Sequence, residues 1–173
     1  MKVEKYIVWF AVLLLVGCGP KAPQIPSQRK GQAPQVDSAQ LALMELNRQL
    51  AQTADEQLAV LVQAQPETYA LYENNSWCTL LEVGDTDRET PKPGEEWSLH
   101  VRVYSLSGKL YLDSEGTYHV GKLELPPAVD SNIFEWHHGA RLRIFAPWYS
   151  AYGITGTDII PPYENVMIEL ELK

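Results

Sequence analysis

The sequence predicts an α+β fold, in which an antiparallel β-sheet wraps around one short helix and a long N-terminal helix precedes the sheet. Two observations support this prediction. Residues 69–173 consist of short runs in which apolar and polar residues alternate, separated by Gly, Pro and Asp, as is typical of strands and turns. One helical pattern lies among these runs, and consecutive strands with a single inserted helix favour α+β over parallel α/β folds.

The N-terminus predicts an exported lipoprotein. Charged residues within Met1–Lys5 precede the uncharged run Tyr6–Val16, whose 11 residues are too few to span a bilayer and fit a secretory signal peptide. Leu15–Cys18 resembles the bacterial lipobox, at which the signal is cleaved before a cysteine that then receives lipid. We therefore expect residues 1–17 to be removed and Cys18 to anchor the mature protein in the membrane.

Residues 18–37 predict a disordered tether between the lipid and the folded part. They contain four prolines and several glutamines but little apolar mass. No acidic cluster follows the lipidated cysteine, which favours the outer membrane, facing the periplasm, over export to the cell surface. The chain has a formal net charge of −8, so no nucleic-acid-binding surface is expected and the membrane attachment must come from the lipid.

Residues 38–65 predict a long helix. They are rich in the helix formers Ala, Leu, Gln and Glu; Asp37 or Ser38 can cap the start, and Pro66 ends the run. Such a helix is about 40 Å long, which exceeds the dimension of a small domain. Two interpretations therefore stay open: packing on the following domain, or self-association in a homodimer. The apolar stripe is formed by Leu43, Leu46, Leu50, Ala54, Leu58, Leu61 and Ala64.

The domain of residues 69–173 is long enough to bury an adequate core. Ser107 and Gly108 predict a tight hairpin turn. The inserted helix is predicted over Ala128–Gly139, and its buried face comes from Val129, Ile133, Phe134 and Trp136. The predicted strands are Trp77–Val83, Glu96–Leu106, Lys109–Ser114, Ala140–Phe145 and Glu164–Leu172.

Cysteine usage excludes an internal disulfide. If Cys18 carries lipid, only Cys78 remains, and it lies in an apolar strand-like run. We expect its thiol to be buried and inert rather than reactive.

The region from about Ser76 to Leu172 carries a series of short motifs, most densely in its C-terminal third. They are Pro91–Val101, Gly108, Gly121-Lys122, Gly139, Ala151-Tyr152-Gly153 and Ile159-Ile160-Pro161-Pro162. With these motifs the region resembles the FKBP family of peptidyl-prolyl isomerases. The family opens with a segment of the type PK.GD.V.VHY, which Pro91–Val101 follows, and its glycines match at the hairpin, before the active-site loop and after the helix.

The resemblance implies an enzyme that eases rotation about the bond preceding proline, a rotation with a barrier of about 18–20 kcal/mol. It implies proline-containing polypeptides as clients, and neither a cofactor nor a metal. The implied catalytic residues are Tyr152, Asp113, Val129 and Ile160. The implied substrate-binding residues are Val101, Tyr111 (or Leu112 in its place), Leu125, Pro126, Ile159 and Ile168.

The chain departs from the family at the pocket itself. Val101 stands where the family has a tyrosine, and Gly116 where it has an aromatic residue. Pro126 falls at the position whose backbone N–H normally donates to the bound peptide, and proline has no N–H. Tyr152 could bind substrate or only tie down its loop. Two functions therefore stay open: an isomerase, and a binding module of low activity that holds clients or assembles an envelope complex.

Overall fold

A computed structural model describes residues 37–173, and the chain from Ser38 to Lys173 forms one compact unit. The predicted signal peptide, Cys18 and nearly all of the tether lie outside the described residues. Within residues 37–173, no helix is long and apolar enough to cross a bilayer.

The order of the elements, runs of consecutive strands with one short helix inserted, is that of an α+β fold. The two helices are α1 (Ser38–Gln63) and α2 (Pro127–Asp130), and short 3₁₀ turns follow at Ile133–Glu135 and Trp148–Ser150. The strands are β1 (Ala70–Leu71), β2 (Trp77–Glu82), β3 (Glu96–Ser105), β4 (Leu110–His119), β5 (Arg141–Ala146) and β6 (Val166–Leu172).

The six strands form one antiparallel sheet in the order β1-β2-β5-β6-β3-β4, which confirms the predicted fold class. Alternate residues of β3 and β6 are buried, so each strand turns one face to a common core. Ala128 and Val129 of α2 are fully buried in the same core. The sheet therefore wraps around α2.

Besides the two-residue strand β1, which the sequence did not predict, two elements differ from the sequence prediction. β4 continues five residues beyond Ser114, to His119, because its whole length pairs with β3 and this pairing outweighs the weak strand preference of its Asp, Ser and Gly residues. The inserted helix stops at Asp130. The side chains that follow form hydrogen bonds back to the helix, which ends it early. Asn132 Nδ2 donates to the Ala128 carbonyl at 2.9 Å, and the Ser131 hydroxyl donates to the Pro127 carbonyl.

Helix α1 packs on the domain by its C-terminal half. Leu58 is fully buried in a cluster with Val62, Tyr69 and Phe145. Along the same helix, the Tyr149 hydroxyl donates to Asp55. The packing interpretation therefore holds for this half of the helix.

The N-terminal half of α1 extends beyond that contact. Four of its apolar side chains are half or more exposed, although Tyr163 Oη still donates to Asn47 Oδ1 at 3.1 Å. The predicted stripe is thus continuous along the helix but covered over only part of its length. The exposed residues are Leu41, Leu43, Met44 and Leu46.

Candidate functional site

The floor of the candidate site is apolar and fully buried. It combines Val101 from β3, Val129 from α2, Ile168 from β6 and Ile160 from the connection between β5 and β6, each at most 2 % exposed. Strand alternation turns Val101 and Ile168 inward, where they pack on one core with α2. The structure therefore brings together four residues that are far apart in the sequence.

Tyr152 supplies a hydroxyl at the partly buried rim of this cluster. Its ring packs on the cluster, and its hydroxyl has no hydrogen-bond partner among residues 37–173. Burial, with a smaller effect from Tyr118, raises the pKa of Tyr152 to about 12. At neutral pH the hydroxyl is therefore protonated and free to donate, which argues against the interpretation of Tyr152 as a loop tie.

Hydrogen bonds within the loop of residues 151–165 hold its turn in place. Thr157 Oγ1 accepts from the N–H groups of Ile159 at 3.3 Å and Ile160 at 3.0 Å, and the Thr157 N–H donates to the Ile160 carbonyl at 2.8 Å. Gly156 has a φ of +62°, and a Cβ there would lie 2.2 Å from the Ile160 carbonyl oxygen. The turn directs Ile160 into the core and leaves Ile159 53 % exposed at the rim.

The loop between β4 and α2 is fixed by a carboxylate that the sequence analysis did not single out. Asp130, only 4 % exposed, accepts from the N–H groups of Gly121 at 2.7 Å and Leu123 at 3.1 Å. Leu125 is buried in the core cluster at the end of this loop. Nothing local marks Asp130 as an anchor, because the bonded groups are seven and nine residues away.

Pro126 caps α2 rather than donating to a ligand. Its carbonyl accepts from the N–H groups of Val129 at 2.8 Å and Asp130 at 3.0 Å, and its ring nitrogen carries no hydrogen. Proline at this position therefore supplies no backbone N–H to a ligand. Losing a donor that must serve a desolvated carbonyl costs about 1–3 kcal/mol.

Asp113 does not belong to this group, contrary to the role that the resemblance implied for it. It is exposed on the opposite face of the sheet, where its Oδ1 lies 2.6 Å from His100 Nε2. Strand alternation instead turns its neighbour Ser114, paired with Val101, toward the cluster. The physical reason is an irregularity in the β3–β4 register that a linear comparison of sequences does not reveal.

That irregularity is a bulge on β4. Val103 pairs with Leu112 and Tyr104 with Leu110, which leaves Tyr111 as the bulged residue between them. The Tyr111 hydroxyl donates to Glu164 Oε1 at 2.9 Å, so it already has a partner. Leu112, opposite the buried Val103, is the residue that faces the core.

Tyr118 covers the position where the family has a second pocket aromatic. A Cβ at Gly116 would lie 3.5 Å from Tyr118 Cε2, so the tyrosine ring lies over the glycine. Its hydroxyl is 3.5 Å from Ser114 Oγ. The sequence analysis missed Tyr118, although strand alternation places it on the same face as Ser114 and Gly116.

Cys78 is buried, with 3 % of its surface exposed. Burial raises the pKa of its thiol to about 12, so the thiolate is not available at neutral pH. This agrees with the inert thiol expected from the sequence.

Comparison with known proteins assigns the fold. No protein-family model matches the chain, and no curated protein sequence matches it either. The crystal structure of a peptidyl-prolyl cis-trans isomerase from Pseudomonas syringae pv. tomato is similar, with a TM-score of 0.61 and 20% identity over 72% of this chain and 92% of that chain. FkpA from Escherichia coli is also similar, with a TM-score of 0.61 and 15% identity over 98% of this chain and 70% of that chain. The chain thus has the fold of FKBP-type peptidyl-prolyl isomerases.

Proposed function

We propose that this protein is an FKBP-type peptidyl-prolyl isomerase that helps proline-containing polypeptides to fold. The observation that supports it best is the unpartnered Tyr152 hydroxyl beside the apolar cluster of Val129, Ile160 and Ile168. An amide moved from water into an apolar site loses stabilisation of its polar planar form, which lowers the barrier to rotation. Tyr152 donates to a client carbonyl and holds the twisted peptide in place. No nucleophile, acid or base is required.

The test is a protease-coupled isomerisation assay on the full chain with a proline tetrapeptide. The proposal expects the observed rate to rise in proportion to protein concentration. A rate equal to that of the uncatalysed peptide, with the protein folded by circular dichroism, would reject isomerase activity.

A second candidate is a binding module that holds clients with little catalysis. Two observations favour it: Pro126 has no N–H to donate, and the apolar floor at Val101 and Val129 is at most 2 % exposed. Equilibrium binding of the same peptide without rate acceleration would support this candidate over the enzyme.

The proposed place of action is the bacterial envelope, with the protein anchored through lipidated Cys18 to the outer membrane and facing the periplasm. Support comes from the signal-like run Tyr6–Val16 and the lipobox-like residues before Cys18. Two or more acyl chains give stable anchoring. Cys18→Ser should release the protein from the membrane fraction as an uncleaved precursor, whereas unchanged membrane fractionation would contradict the proposal.

We also propose that the protein self-associates through α1. Leu43, Leu46 and Leu50 continue the row of side chains that is buried farther along the helix, yet they are 55%, 50% and 36% exposed. A second copy could cover this row in a homodimer.

Sedimentation of the full chain and of Leu43→Glu/Leu46→Glu tests the homodimer. The variant should be monomeric at concentrations where the unaltered chain is dimeric. An unaltered chain that is always monomeric would reject the homodimer.

A further inference from the structure

A polar cavity of 490 Å³ lies beside the candidate proline site. It opens between the segment that precedes β2 and the corner after α2. Its lining residues are Tyr72, Glu73, Asn74, Ser131, Asn132 and Glu135.

Asn132 adds an acceptor to the lining of this cavity. The residue is only 5 % exposed, and its Nδ2 donates to the Ala128 carbonyl at 2.9 Å and to Ser76 Oγ at 3.3 Å. These two bonds fix the orientation of the amide, because the reverse orientation would set two oxygens against each other. The Asn132 Oδ1 atom receives no hydrogen bond from any residue of the described chain.

Two carboxylates add further acceptors. Tyr72 Oη donates to Glu135 Oε2 at 2.9 Å, which leaves the second oxygen of Glu135 without a donor among the described residues. Glu73 forms no hydrogen bond or ion pair with any residue between 37 and 173. Both glutamates are exposed, so their charges are not neutralised within the protein.

The side-chain donors around the cavity are already used. Asn74 Nδ2 donates to Ser131 Oγ at 2.8 Å and to the Pro127 carbonyl at 3.2 Å. The Ser131 hydroxyl donates to that same carbonyl, and the Tyr72 hydroxyl donates to Glu135. The cavity therefore offers oxygen acceptors and two negative charges but no free side-chain donor. Its chemistry fits a cation with several N–H groups, such as a lysine ammonium or an arginine guanidinium.

Asn74 links this cavity to both loops of the candidate proline site. Its side chain bonds to Pro127, the residue after Pro126, and its main-chain carbonyl accepts from the Ser150 hydroxyl, two residues before Tyr152. Asn74 thus connects the cavity to the two segments that carry Pro126 and Tyr152.

We propose that this cavity binds a lysine or arginine side chain of the client polypeptide, close in sequence to the proline at the candidate site. The inference rests on the proposed function, because it concerns the same clients. It gives the protein a preference for basic clients, in keeping with its net charge of −8.

The first test measures binding at the cavity without relying on catalysis. L-argininamide is titrated into the full chain while the side-chain amide signals of Asn132 and Asn74 are followed by NMR. Saturable shifts are expected, and Glu73→Gln/Glu135→Gln should abolish them. The matched control, Asp87→Asn/Glu115→Gln, removes two exposed carboxylates elsewhere and should leave the shifts unchanged. Equal shifts in both double variants, or none in the unaltered chain, would overturn the proposal.

The second test measures client preference in the isomerisation assay. Two proline peptides are compared, one with Lys and one with Gln at each position flanking the Xaa-Pro pair. The Lys peptide should have a kcat/KM about fivefold higher, at the upper end for an exposed ion pair. This ratio should fall toward one in high salt and in Glu73→Gln/Glu135→Gln. Equal kcat/KM for both peptides would overturn the client preference. Saturable argininamide shifts without isomerisation of any peptide would instead retain the cation site and reject the enzyme.

Discussion

The two walls of the candidate site differ in how much of an isomerase pocket they retain. The loop of residues 151–165 keeps a free hydroxyl on Tyr152, an inward Ile160 and a glycine-dependent turn at Gly156. The opposite wall, from β4 to α2, has Tyr118 lying over Gly116, and Pro126 at the position of the expected backbone donor.

The two walls therefore contribute differently to the site. The loop wall is built to position a peptide, because its donor is protonated and its turn is held by three hydrogen bonds around Thr157. The β4 wall supplies apolar contact but lacks one main-chain donor. We therefore expect binding to be retained better than catalytic rate.

The largest effect is expected for Gly156→Ala in the loop wall. The new Cβ would lie 2.2 Å from the Ile160 carbonyl oxygen, so the turn must move and Ile160 must leave the cluster. A displacement of about 1 Å can cost about 100-fold in rate, and we expect a loss of that size in kcat/KM. The control is Gly153→Ala, which has a similar φ of +73° but no atom within 4 Å. Equal losses in both variants would show that backbone strain, not the position of Ile160, matters.

Pro126→Ile tests the missing donor of the β4 wall. The change supplies a backbone N–H, and the φ of −54° at this position is one that isoleucine adopts readily. A donor to a desolvated carbonyl is worth about 1–3 kcal/mol, so isomerase activity should rise by about tenfold. Pro126→Ala should give a similar gain if the N–H is responsible, and Pro127→Ala should give none. Unchanged activity in Pro126→Ile would mean that this backbone position does not contact the client.

Tyr152→Phe removes the donor of the loop wall. The loss of one hydroxyl hydrogen bond costs about 0.5–1.5 kcal/mol, so peptide affinity or rate should fall about 2- to 13-fold. The melting temperature should hardly change, because this hydroxyl has no partner in the described chain. Tyr111→Phe is the matched control: its hydroxyl bonds to Glu164, so stability should fall while activity is kept. If Tyr152→Phe instead lowered the melting temperature and left peptide affinity and rate unchanged, Tyr152 would be a structural residue.

Asp113→Asn should have the smallest effect, with kcat/KM within about twofold of the unaltered protein. The carboxylate lies on the outer face of the sheet beside His100, so its charge does not reach the cluster. A large loss of activity would mean that Asp113 takes part in the site despite its position.

The resemblance named Val101, Ile160 and Ile168 as site residues, and alternation along β3 and β6 explains why Val101 and Ile168 point into one core. Asp113 could not be placed, because a bulge at Tyr111 shifts the β3–β4 register by one residue and reverses which side chains face inward. The bulge belongs to the hairpin pairing of β3 with β4 and is not evident from the apolar pattern of β4 alone.

Contacts between distant segments account for the other differences. Asp130 anchors a loop that reaches it only in the folded chain, and Asn132 ends α2 early by bonding back to Ala128. The extent of α1 on the domain depends on Phe145, more than 80 residues away from Leu58 in the chain. Helix propensity predicts that α1 exists but not which part of its stripe is covered.

The burial of Leu58 against Phe145 also bears on solubility. Trp77 and Met167 pack against the same cluster, so α1 shields aromatic and apolar side chains on strands β2, β5 and β6. A chain that began at residue 69 would expose this patch next to the short edge strand β1, whose unpaired backbone groups can pair with another molecule. By covering this patch, α1 therefore protects the domain from aggregation.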